Sequence, residues 1–252
     1  MSLDAKLLGQ LGMWEAWQDF VKASLPNFAA NPVYVEQLSP SRKEFNDVAD
    51  YVSKLAHVSA GKLRDCEFGG VAHETQALGP VTRMWLDANV EMDFISRNSF
   101  AKKILEVGAG YGRLAGMLAP FCDRYVCVDA VPVSTEICRT YCARFAPTAE
   151  VPTLGEFCAS AKPGGFDLAI NIHSWNECTV ENVGHWLDAI EYLKIPRLFT
   201  VSHGQGAGAY RTQEHGQPSF RHLLETKFNL VAEENIGLGK HPHALWSLKS
   251  TS

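Results

Sequence analysis

From Ala101 onward the chain alternates short apolar runs with stretches of helical spacing, whereas the hundred residues before it show several helical patterns and no strong strand alternation. In that first part Trp14, Trp17, Phe20 and Val21 fall on one helical face. Ser41 and Glu44, just after Pro40, have the spacing of a capping box and predict a helix to about His57. The glycine-containing stretch CEFGGVAHETQALG then separates it from a helix starting near Pro80. That helix carries Val81, Met84, Trp85, Ala88, Met92 and Ile95 in a stripe read as core rather than cleft lining. Beyond it the pattern predicts strands over 103 to 107, 124 to 129, 149 to 151, 166 to 172 and 196 to 202. Helices are expected between them at about 112 to 121, 133 to 145, 154 to 161 and 180 to 193. A last helix, Ser219 to Lys227, leads into FNLVAEENI and HALWSLK, an antiparallel pair joined by IGLGKHPH. The expected organisation is an N-terminal helical region over 1 to 100 and, over 101 to 252, an α/β domain with a parallel sheet covered on both faces.

Composition narrows the function classes. At 252 residues, 46% hydrophobic and 20% charged, the chain is an ordinary globular one with enough length for a full core. A net charge of −5 without a dense Lys/Arg run argues against nucleic acid as partner and leaves neutral or anionic small molecules. The first residues, MSLDAKLLGQLGMWEAW, lack the pattern of a secretory signal, and no apolar run reaches membrane-spanning length, so a cytoplasmic location is expected. The seven cysteines are odd in number and scattered, and read as reduced core residues. Cys138 and Cys142 share a helix face, but no second pair stands at zinc spacing, so they read as packing.

The sharpest signal is KILEVGAGYGRLAGML, Lys103 to Leu118. A short buried strand with Ile104, Leu105 and Val107 carries Glu106 near its end and runs into Gly108, Ala109, Gly110, Tyr111 and Gly112, after which helical spacing resumes. The glycines let the backbone turn and approach a ligand. A dinucleotide fingerprint would need its third glycine at 113, where Arg113 stands. The motif present, E-x-G-x-G-x-G, resembles the first motif of class I S-adenosylmethionine-dependent methyltransferases. That resemblance implies a Rossmann-like fold, a seven-stranded and mostly parallel sheet with an antiparallel C-terminal strand. It also implies S-adenosyl-L-methionine as cofactor and an acid at the end of the next strand for the ribose hydroxyls. Asp129, followed by Ala130, stands there. Glu106 and Asp129 would both face a sulfonium cation, so the signs agree. Thr153 and Leu154, after the third strand, are candidates to border the adenine.

The fourth strand ends in FDLAINIHSWNE. The D/N-P-P-Y/F tetrad of many amino-methyltransferases is absent, and Asn171, His173, Ser174, Trp175, Asn176 and Glu177 stand in its place. A hydroxyl acceptor needs its proton removed, and His173 is the candidate general base, the alternative being a hydrogen-bonded histidine that holds the loop. LEVGAGYGRLA together with INIHSWNE is similar to a family of bacterial sugar O-methyltransferases, over roughly residues 80 to 250. This resemblance implies methyl transfer to a sugar hydroxyl, nucleotide-linked, lipid-linked or in a glycan. Glu177 would then orient His173 or bind a sugar hydroxyl. His203, after the fifth strand, is a second base candidate, and the GQGAG behind it a lid element. His241 and His243 read as a solvated hairpin turn. No carboxylate pair has metal spacing, and no metal is expected. Two other readings stay open: methylation of a phenol or carboxylate, and a non-catalytic SAM-binding regulatory subunit. Homo-oligomerisation is also open.

Overall fold

The computed structural model describes residues 3–10, 27–30, 41–56, 58, 60–212 and 215–250. Trp14, Trp17, Phe20, Val21, Pro40 and His57 of the sequence reading lie outside them. In chain order the elements begin with α1 (Ala5–Leu8), α2 (Arg42–Ser53) and the strands β1 (Ala72–Thr75) and β2 (Gly79–Thr82). There follow α3 (Arg83–Asn98), β3 (Lys103–Val107), α4 (Ala115–Leu118), β4 (Arg124–Val128), α5 (Pro132–Phe145) and β5 (Ala149–Glu150). The remainder is α6 (Leu154–Ser160), β6 (Leu168–Ile172), α7 (Val180–Tyr192), β7 (Arg197–Val201), α8 (Arg221–Lys227), β8 (Phe228–Ile236) and β9 (His241–Leu248).

Seven strands make one sheet in the order β5-β4-β3-β6-β7-β9-β8. β3 to β7 pair in parallel, and β9 lies antiparallel to both β7 and β8, so β9 alone opposes the others. Because side chains alternate across a strand, the sheet has two cores. Ile104, Tyr125, Leu168, Phe199 and Leu245 meet Trp85, Leu86 and Phe94 of α3 and Leu114 and Met117 near α4. Leu105, Val126, Ala169, Leu198 and Trp246 meet Phe157 of α6 and Val183, Leu187 and Ile190 of α7. The stripe Val81, Trp85, Ala88 and Ile95 is core, as read from its spacing. Among the described residues no helix is long and apolar enough to cross a membrane.

Four details differ from the sequence reading. The stretch before α3 contains an antiparallel hairpin, β1 with β2, closed by Thr75, whose hydroxyl donates to the Gly79 carbonyl and accepts from the Leu78 amide. Its strands are four residues long and mostly polar, too short for alternation to show. Pro80 therefore sits in β2, and the helix starts at Arg83, capped by Thr82. Ser41 caps α2 as expected, but the Glu44 carboxylate accepts from the Gly239 amide at 2.7 Å. The helix expected from 112 shrinks to Ala115–Leu118, because Gly112 still has a left-handed backbone (φ 87°) and Pro120 follows closely. Finally, only Cys127, Cys138 and Cys142 are buried; Cys66 is exposed, and Cys122, Cys158 and Cys178 are intermediate.

Candidate active site

The loop after β3 is left-handed at each glycine, with φ of 71° at Gly108, 57° at Gly110 and 87° at Gly112. A Cβ on Gly108 would lie 2.0 Å from Ser174 Oγ, and one on Gly112 would lie 2.8 Å from Cys142 Sγ. The two are wedged against β6's following turn and α5, and only glycine fits either place. Gly108 and Ala109 donate to the Val128 carbonyl, which ties the loop to the end of β4.

Asp129 follows directly. Its Oδ2 accepts from the Gly110 amide at 3.0 Å and its Oδ1 from the Val131 amide at 2.8 Å. Each oxygen keeps a second lone pair for another donor. Burial pushes its carboxyl up to about 6, against the lowering effect of the two amides, so it is ionised at neutral pH. Ala130 lies half-buried beside it.

Glu106 turns away from this loop. Its carboxyl is buried on the α3 face of the sheet, where Tyr125 Oη donates to it at 2.8 Å and Cys127 Sγ lies at 3.8 Å. Burial pushes it up to about 8, so it is largely neutral at pH 7 and adds little negative field. The expected pairing of two anions thus reduces to Asp129 alone. A carboxyl raised from its ordinary 4.5 in the folded state keeps a proton that the unfolded chain has lost. Its contribution to stability is therefore complete below about 4.5 and declines as pH rises toward 8. Glu106→Gln, which cannot ionise, is expected to flatten that decline. Melting temperatures at pH 5 and pH 8 check it: the variant should gain on the parent at the higher pH, and equal slopes would mean Glu106 does not hold its proton.

Tyr111 points back toward the chain before the sheet, where its hydroxyl donates to Asp65 Oδ1 at 2.9 Å. Arg113, at the position where a dinucleotide site would have glycine, donates to Glu91 Oε1 at 2.9 Å and to the Met84 carbonyl at 3.2 Å. Both contacts tie the loop to α3. Thr153 is the N-cap of α6 in a full capping box with Glu156, and its hydroxyl is committed there; Leu154 opens the helix. Asn171 is buried, with Nδ2 donating to the Val107 carbonyl at 2.9 Å and to Ser174 Oγ at 2.5 Å. It fastens the end of β6 to the end of β3, immediately beneath the glycine loop.

The turn after β6 opens with His173 in a left-handed backbone, φ 61°, rare for a residue with a side chain. Parallel pairing places Ile172 beside Val201, and antiparallel pairing places Val201 beside His243. This register brings His173, His203 and His241 to one edge. The rings of His173 and His203 stack at 4.1 Å and 13°, and His241 meets them edge-on at 5.0 and 5.4 Å. Burial lowers all three imidazoles, His173 to about 3 and His203 to about 2. His173 and His203 are neutral across the physiological range. Glu177 is pushed the other way, up to about 8, by burial and then by the nearby Asp129 charge.

Two features escaped the sequence reading. His241 and His243 are not in a solvated turn; each is 4% exposed in β9. An antiparallel last strand begins at the edge where the parallel ones end, and the HPH at its start was the available signal. Asn176 is the second feature: its Oδ1 accepts from the His203 amide at 3.0 Å, and its Nδ2 donates to Ser202 Oγ and the Arg211 carbonyl. It fixes His203 to the turn that carries His173. After His203, the Gly204 backbone is hydrogen-bonded to His241, and Gln205 donates to the Gly239 carbonyl at 2.7 Å.

No model of a protein family matches the chain, and no curated protein matches it. Solved structures do. The PH0226 protein from Pyrococcus horikoshii OT3 aligns with TM-score 0.51 and 15% identity, covering 64% of this chain and 88% of that one. The glycopeptide N-methyltransferase MtfA complexed with sinefungin gives 0.52 and 13%, over 64% and 94% of the two chains. The same enzyme complexed with S-adenosyl-L-homocysteine gives 0.50 and 13%, over 64% and 89%. With the sheet order and the single antiparallel strand, these likenesses define the class: the chain has the Rossmann-like fold of class I methyltransferases.

Proposed function

We propose that this chain is an S-adenosyl-L-methionine-dependent methyltransferase acting on a hydroxyl, in the first instance that of a nucleotide-linked, lipid-linked or glycan sugar. The observation that carries the reading is Asp129, fixed by the Gly110 amide at the carboxyl end of β4 with lone pairs left for two ribose hydroxyls. The donor set suits the cofactor. Asp129 is anionic, the left-handed glycines hold the loop against its carboxylate, and this edge of the sheet is where open α/β folds bind ligands. Gly108 to Gly112, Asp129 and Ala130 would hold it, with Thr153 and Leu154 toward the adenine. Asn171 would serve by supporting the loop from below. Once bound, S-adenosyl-L-methionine supplies an electrophilic methyl group. The chain's own task is to orient the acceptor oxygen in line and remove its proton.

For that proton, two side chains compete. His173, the candidate from sequence, accepts a proton only weakly when burial holds it near 3. Glu177, held up to about 8, is the stronger base of the two once ionised; at pH 7 most of it still carries its proton, so turnover is expected to rise as pH approaches 8. We assign proton removal to Glu177 and give the histidines another task below. The described residues among 1 to 100 are proposed to form a layer beside the acceptor site, a reading supported by the contacts of Asp65 with Tyr111 and of Glu91 with Arg113. The 64% overlap with MtfA leaves room for such a layer.

Calorimetric titration with S-adenosyl-L-homocysteine and with NAD tests the cofactor. Binding of the former alone is expected, weakened roughly 10-fold to 150-fold in Asp129→Ala by loss of charge-assisted hydrogen bonds worth about 1.5–3 kcal/mol. Binding of neither would remove the assignment. Turnover against sugar and phenolic panels then tests the acceptor, and tight binding without turnover on any would favour a regulatory subunit. Glu177→Gln is expected to lose turnover while retaining cofactor affinity; normal turnover there, with loss in His173→Gln, would return the base role to His173.

A further inference from the structure

We propose that His173, His203 and His241 form a binding site for a divalent first-row transition metal, zinc foremost, at the carboxyl edge of the sheet. The inference rests on the arrangement of the three imidazoles and stands whether or not the chain transfers methyl groups.

The three side chains reach this spot from three strand ends. His173 follows β6, His203 follows β7, and His241 opens β9, which enters from the same edge because it runs the other way. One ring nitrogen from each lies within 4.8 Å of the others. Zinc–imidazole bonds of about 2.0–2.1 Å in a tetrahedron need nitrogens roughly 3.3–3.4 Å apart. Turning the half-buried rings of His173 and His203 out of their stack is the movement that would close that gap. Imidazole nitrogen without thiolate selects zinc, copper, nickel or iron over calcium or magnesium. Three protein ligands also leave a fourth position open, toward the half-buried side of the cluster.

The surroundings support the same reading. His173 is held in its left-handed conformation by its own amide, which donates to the Val201 carbonyl at 2.8 Å, and by the Asn176 amide, which donates to the His173 carbonyl at 2.9 Å. Asn176 also positions His203 through its backbone. These bonds fix the backbone from which both rings project. Three clustered rings are a costly way to fill apolar space, since an aliphatic core would need none of these polar supports. The local field comes from α2, α3 and the glycine loop: Asp87 and Glu44 act on His241 and Glu91 on His173, opposed by Arg83 and Arg113, which pair with Asp87 and Glu91.

A second cluster provides the competing explanation for any metal bound. Cys127, Cys138 and Cys142 also lie with sulfurs within 4.8 Å, behind Gly112. The test therefore uses the chelator-treated full chain and four proteins: the parent, His203→Ala, His241→Ala and Cys138→Ser. Zinc is titrated by calorimetry and cobalt by visible absorption. One equivalent of zinc is expected in the parent and in Cys138→Ser, with cobalt bands of a nitrogen-rich tetrahedral site and no intense thiolate charge-transfer band. Each histidine variant is expected to lose at least the roughly 100-fold in affinity that even outer-shell changes can cost. S-adenosyl-L-homocysteine binding, where the parent shows it, and the melting curve report whether each variant still folds; of the two histidines replaced, His203 is the half-buried one and the less prone to disturb the core. No stoichiometric binding in the parent, unchanged affinity in either folded histidine variant, or loss confined to Cys138→Ser would each overturn the site.

Discussion

Gly108→Ala is expected to abolish measurable binding of S-adenosyl-L-homocysteine, a loss of at least about 100-fold, while the protein remains folded. Two effects add. The residue sits at φ 71°, where an L-side chain costs about 1–2 kcal/mol. The new methyl would also stand 2.0 Å from Ser174 Oγ and 2.4 Å from Ser174 Cβ. Rotating the hydroxyl does not relieve the second contact, so the turn or the loop must move, at about 1–3 kcal/mol for an overpacked site. Ser174 is held by Asn171, which is held in turn by the Val107 carbonyl. The loop is therefore the part that yields, and it is the proposed cofactor cradle. With tenfold in affinity for each 1.4 kcal/mol, a strain of about 3 kcal/mol gives the stated loss. Calorimetry on the folded variant reads it. Retained affinity would mean that the cofactor does not sit on Gly108.

The largest effect on stability is expected at Glu91→Ala. Glu91 is 2% exposed, and the side chain of its partner Arg113 is 14% exposed. Removing one member of such a pair leaves the other charge without compensation, typically about 3–5 kcal/mol. For a chain of this size about 2–4 °C of melting temperature accompanies each kcal/mol, so a fall of roughly 6–20 °C should appear in calorimetric scans. Glu91→Gln keeps the acceptor but not the charge and should fall in between. A fall under about 2 °C would show that Asp87, already paired with Arg83, takes over Arg113. The replacement of a dinucleotide-type glycine by Arg113 thus has a structural use, joining α3 to the cofactor loop.

The parts of this fold legible in the sequence were those with a strong local period. β3 and β8 match the expected 103 to 107 and FNLVAEENI, and α5, α6 and α7 differ from expectation by about a residue. Asp129 was legible because a strand ending in an acid after a glycine loop is itself a local pattern. What escaped was set by partners distant in the chain. Glu106 faces the core because Tyr125 and Cys127 of the neighbouring strand receive it, and nothing in EVGAGYG says so. The Glu44 carboxylate, spaced for a capping box, goes to Gly239 nearly two hundred residues away. His241 and His243 follow from topology, since a strand read alone does not reveal which edge of the sheet it enters.

The insertion of β9 between β7 and β8 has a consequence for biosynthesis. Both neighbours precede it in the chain, so β7, with the apolar sequence RLFTV, keeps a bare pairing edge until residues 241–248 leave the ribosome. An unpaired apolar edge is a template for other chains. Messages ending before His241 should therefore yield insoluble product, and proteins that survive to be harvested will be those in which the last strand of the sheet closed it in time.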